Sequence, residues 1–228
     1  MKTLTSLSQW KKEILEVFRK EWRSESRALS GITTTAQLCF VSLVIINNIT
    51  WFSNVKPLLA SGLYWLILIF IASITLPRTF LQEEENRSAD FWRMVARPES
   101  VFWGKCLFNC AQMLVATLFM SLGMVLMLRL PVSNPLVFAG NSFFGSIAIA
   151  LTVTLAGALA APAQNRYTVC AAISVPLLVF VVNLGMTGTA FALGEFLRGG
   201  ERAPIAMIAY CLGAGALGPV VYSRIWKS

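Results

Sequence analysis

The chain has 228 residues, 56% of them hydrophobic and 13% charged, with a mean hydropathy of +0.66. Soluble domains carry about 25% charged residues, so this composition excludes a water-soluble fold and names lipid as the solvent. The net charge of +8 could suggest nucleic acid, but Lys and Arg gather in short segments between apolar runs, as in membrane proteins that keep them on one side.

Residues 1–30 read as an amphipathic helix. Leu7, Trp10, Ile14, Val17, Phe18 and Trp22 recur every three or four positions, while Lys11, Lys12, Glu16, Arg19, Lys20, Arg23 and Arg27 take the other faces. Such a helix lies in the headgroup plane with its apolar stripe down. Residues 31–228 form the membrane domain, with six spanning segments expected at about 32–53, 58–80, 102–128, 136–161, 168–192 and 204–225. The fold class is therefore all-α: six transmembrane helices preceded by one interfacial helix. With the N-terminus in the cytoplasm, fifteen Lys and Arg fall inside and four (Lys56, Arg129, Arg198, Arg202) outside. Both termini are expected to be cytoplasmic.

Within these spans chemistry is sparse. The sequence contains no histidine, and the acids are assigned to the amphipathic helix and the loops, so neither a proton-driven carrier nor a membrane hydrolase is expected. No catalytic residue, bound cofactor or metal site is assigned, and the chain is not read as an enzyme. Cys106 and Cys110 stand one helical turn apart, but with no third ligand in view they read as small packing residues. The Gly104-Lys105 pair lacks the glycine-rich cradle of a nucleotide loop, so any ATP belongs to another chain. Small residues crowd the fourth span (Gly145, Ser146, Ala148, Ala150, Gly157) and the sixth (Gly213, Ala214, Gly215, Ala216, Gly218), which suits packing within the subunit or a seam between two copies. Pro176, inside the fifth span, is expected to kink it.

The long polar connection, a candidate coupling loop over about 81–100, is the most informative segment. Glu83, Glu84 and Glu85 open it; Phe91 and Val95 stand one turn apart beside Trp92, and Pro98 is expected to stop the short helix before the third span. Aromatic anchors on a short helix suit either a groove on a soluble partner or the headgroup layer.

Phe80, Glu83 or Glu84, Asp90, Pro98 and Gly104-Lys105 resemble the corresponding loop of haem exporter protein B, the CcmB family of the ABC-2 type permease group. Val175-Pro176-Leu177-Leu178-Val179-Phe180 and Leu217-Gly218-Pro219 extend the resemblance over nearly the whole chain. It implies a permease subunit of an ABC transporter complex, acting in haem delivery for cytochrome c maturation in a bacterial inner membrane. Glu83, Glu84, Asp90, Phe91, Trp92, Val95 and Pro98 would then rest on an ATPase subunit that binds the ATP. A homodimer, a haem-handling membrane protein and a haem chaperone are the other implied partners, and nucleic acid is not one. An ABC-2 exporter of a lipid, polysaccharide or drug, and a non-transporting membrane scaffold, are the alternatives.

Overall fold

The computed structural model describes residues 2–51, 56–85, 96–128 and 132–226, and no strand occurs among them. The helices are α1 (Lys2–Ala28), α2 (Ser30–Trp51), α3 (Pro57–Thr75), α4 (Arg78–Glu85), α5 (Pro98–Leu128), α6 (Pro135–Ala160), α7 (Arg166–Ala192) and α8 (Ala203–Ile225). A single 3-10 turn, Gly200–Arg202, leads into α8. Among the described residues six stretches are long and apolar enough to cross a membrane: α2, α3 with α4, α5, α6, α7, and α8 with its leading turn. The protein is an all-helical integral membrane protein.

The long polar connection is shorter than the sequence suggests. Helix continues through Gln82 to Glu85, because only the Leu76-Pro77 turn interrupts the second span, where one unbroken run over 58–80 is expected. Proline removes a donor from the ladder; Phe80 and Leu81 restart it by donating to the Pro77 carbonyl at 3.1 and 3.0 Å. Pro98 is expected to stop a helix. It is the first residue of α5, where its missing N–H costs nothing, and the short helix it is expected to stop lies outside the described residues.

Six spans place α1, α4 and the start of α5 at one end of the bundle, here the α1 end. At the hub stands α6, which touches α3, α4, α5, α7 and α8. Buried residues make up 72% of its span against 17% for α8. Lipid gives packed helices no hydrophobic reward, so close backbone approach must hold them. The fourth-span glycine supplies it: a Cβ on Gly145 would meet the Trp65 ring at 2.1 Å, and one on Gly185 of α7 would meet it at 2.4 Å. Trp65 is thus wedged between α6 and α7, and its Nε1 donates to Thr189 Oγ1 at 2.9 Å. Asn141 donates to the same hydroxyl at 3.1 Å and to the Gly185 carbonyl at 2.8 Å. On α8, Gly218 seats Phe102 of α5, whereas nothing lies within 4 Å of a Cβ placed on Gly213.

Pro176 lies inside α7, and helix is continuous on both sides of it. Pro219 stands inside α8 in the same way.

Candidate functional site

At the α1 end, three helices meet on four charges. Lys105 sits seven residues past Pro98, two turns inside α5, and its side chain is 2% exposed. A lone ammonium at that depth would cost several kcal/mol. It is fully partnered: Nζ donates to the Thr79 carbonyl and to Glu83 Oε2, and it stands 4.2 Å over the Phe80 ring. All three partners come from α4, so one lysine of α5 grips a full turn of that short helix.

Glu83 is shared. While Oε2 faces Lys105, Oε1 accepts from Lys20 of α1, and Lys20 also donates to Glu21 Oε1 at 2.9 Å. Burial favours a neutral Lys20, but the charges of Glu21 and Glu83 outweigh it and hold the ammonium pKa above its ordinary value. Glu21 behaves oppositely. Burial pushes its carboxyl up, and the nearby Lys105 and Lys20 offset only part of that.

Docking of α1 is built into the sequence at one glycine. A Cβ on Gly104 would fall 2.6 Å from Val17 and 3.0 Å from the Ile14 carbonyl, so Gly104 lets the α1 backbone close onto α5. Ile14 and Val17 are buried there, Phe18 meets Phe108 edge-on at 6.4 Å, and Ser100 donates to Glu13 at 2.8 Å. One turn beyond Lys105, Asn109 donates to Thr154 of α6 at 2.9 Å and to Thr79 Oγ1 and the Leu76 carbonyl at 3.3 Å. The broken ladder at Leu76-Pro77 is thereby tied to both α5 and α6. From the C-terminal side, Tyr222 of α8 stacks edge-on against Phe80 at 5.4 Å.

Of the residues assigned from sequence, Glu83 lies at the centre of this clamp, Glu84 is beside it on α4, and Pro98 opens α5. Asp90, Phe91, Trp92 and Val95 lie outside the described residues. Pro176 is on α7, which takes no part in the clamp. The sequence reading placed the acids in α1 and the loops and counted Lys105 as a cytoplasmic loop charge. Glu83 and Lys105 are instead buried in helices at matching depth. Lys20 and Glu21 were not singled out at all. The available signal was an acid and a base, each within two turns of a proline that punctuates its span.

Arranged this way, the four charges make a mechanical joint. Among the described residues no group of three or more Cys, Asp or Glu could hold a metal, and all five cysteines are free thiols. Glu83 of α4, the root of the polar loop, is thereby joined to α1 through Lys20 and to α5 through Lys105. A family model described as CcmB protein matches residues 12–221. No curated protein matches the chain.

Proposed function

We propose, from the premise that this chain belongs to the CcmB protein family and is an ABC-type membrane permease subunit, that the clamp turns work done on the loop into rearrangement of the spans. A separate ATPase subunit binds and hydrolyses the ATP and presses on the segment rooted in Glu83 and Glu84 and bounded by Pro98, using Asp90, Phe91, Trp92 and Val95 as its contacts. The complex serves haem delivery for cytochrome c maturation. Two copies of this chain pair within it, beside a haem-handling membrane protein and a haem chaperone, and the chain itself binds no cofactor. It lies in the bacterial inner membrane with both termini cytoplasmic. Residues 1–30 rest in the interface, 31–228 span the bilayer, and Pro176 supplies a bend in the fifth span.

The observation that carries this reading is the division of Glu83 between Lys20 and Lys105, which ties the root of the loop to two further helices. Mild-detergent purification of the full chain tests it, beside a Phe91→Glu, Trp92→Glu variant and a Glu83→Gln variant. An ATPase should accompany the wild type and the Glu83 variant and be lost from the aromatic variant, while haem attachment to c-type cytochromes fails in both variants. Full haem attachment in the Glu83 variant would overturn the coupling role. A chain that purifies alone, under conditions that preserve other ABC complexes, would overturn the partner assignment.

A further inference from the structure

The charges of α1 look balanced in sequence, with Lys and Arg interleaved with four acids over 11–27. The fold unbalances them. Glu13 is engaged by Ser100, Glu21 is buried against Lys20, and Glu25 accepts from the backbone amides of Gly31 and Ile32 at 2.5 and 3.2 Å, capping α2. Three of the four acids are thus spent on the protein's own interior. Arg19, Arg23 and Arg27 are left exposed at successive i, i+4 positions, with no ion pair among the described residues, and only Glu16 shares their side of the helix.

Beside this basic row an apolar cleft of about 400 Å³ opens between α1, α2 and α5. Trp22 roofs it, Ile32 and Cys39 line one wall, and Phe108, Val115 and Phe119 line the other. Its polar wall atoms are spoken for: Gln112 donates to Thr35 at 3.4 Å, and Glu25 is the cap just described. Trp22 and Ser26 of the cleft alternate along α1 with Arg19, Arg23 and Arg27, and Arg19 and Trp22 line one shallow groove together, so the arginines flank the cleft at its α1 edge.

We infer that this cleft is a binding site for one anionic phospholipid, with its phosphate on Arg19, Arg23 and Arg27 and one acyl chain under Trp22 along α2 and α5. The charge selects the headgroup, because clustered arginines near a membrane surface favour anionic over zwitterionic lipid by roughly fivefold each. The apolar length of the cleft selects a chain over a free anion or a headgroup alone. This site does not depend on the haem reading; the chain needs no ATPase to display it.

Native mass spectrometry on the full chain, released from detergent with palmitoyl-oleoyl phosphatidylglycerol or the matching phosphatidylcholine, tests the proposal. One phosphatidylglycerol adduct should persist at activation energies that strip phosphatidylcholine, a preference of roughly tenfold or more. An Arg19→Gln, Arg23→Gln, Arg27→Gln variant should lose the preference, and the triple Arg→Lys variant should keep most of it, which separates charge from folding. Ala36→Trp, which fills the cleft from α2, should abolish retention of either lipid. Equal retention of the two lipids, a preference surviving the glutamine variant, or retention in Ala36→Trp would overturn the site. So would competition by glycerophosphoglycerol at equal concentration, since that would make it a bare phosphate site.

Discussion

The two ends of the bundle solve the same problem with different chemistry. At the far end, Trp65 is clasped by neutral groups, Thr189 and Asn141, and by two glycines that admit its ring. At the α1 end the join is made of buried ions, with Glu83 between two lysines. Neutral hydrogen bonds of this kind contribute about 1 kcal/mol each and change little when displaced slightly. Buried charges are costly the moment a partner leaves, so their arrangement is all-or-none. On the proposed coupling role, the far end serves as a fixed pivot and the α1 end as the part that moves as a unit.

The sharpest way to break that comparison is Lys105→Met. Removing one partner leaves Glu83 half-paired in the interior, and the loss of stability should be about 3–5 kcal/mol. Thermal unfolding in detergent, followed by size-exclusion chromatography, would read it. The double variant Glu83→Gln, Lys105→Met should recover a large part, because it leaves no orphaned carboxylate; a double variant as damaged as the single would mean that the charges are not what the joint depends on.

Gly185→Ala attacks the pivot. Its new methyl must displace the Trp65 indole by sterics alone, at a cost of about 1–3 kcal/mol. Here the prediction is a lower melting temperature with ATPase co-purification retained, which separates the pivot from the coupling joint. Gly104→Ala should cost a similar amount or somewhat less, and in a different place: α1 lifts from α5. Limited proteolysis should then cut within residues 9–28 faster than in the wild type, and unchanged protection would show that the close approach at Gly104 does not hold α1 in place.

The smallest expected effect concerns pH. Glu21 holds its proton more tightly folded than unfolded, so its contribution to stability is present below the ordinary carboxylate value and is lost as pH rises through its higher folded value. A Glu21→Gln variant should remove that part of the slope just above the ordinary carboxylate range. Superimposable stability profiles of variant and wild type would show that the burial of Glu21 carries no proton linkage.

The spans were legible because twenty apolar residues in a row leave few alternatives, and six predicted segments meet six apolar stretches within a few residues. The stripe of α1 was legible too, since Ile14 and Val17 recur at helical spacing. What they rest on was not. Gly104 carries its meaning only once Val17 lies across it, 87 residues away in sequence and adjacent in space. Lys105 was counted as a charge facing water because a lysine a few residues from an apparent span end usually does face water. The third span was expected from 102, and α5 begins four residues earlier at Pro98, which carries Lys105 two turns into the helix. Hydropathy assigns depth one segment at a time, whereas a buried ion pair depends on two segments at once.

The way α1 docks also bears on the order in which the molecule can be made. Its residues leave the ribosome well before their fixed partners Glu83, Ser100 and Gly104. At about 5–20 residues per second, α1 waits on the order of several seconds before its seat exists. Through that interval the Gly104 seat that covers Val17 is not yet made, and the membrane surface is a place where the basic and apolar faces are both satisfied. This helix is made before its seat and settles only after it, and its amphipathic pattern serves as a holding device before it serves as a joint.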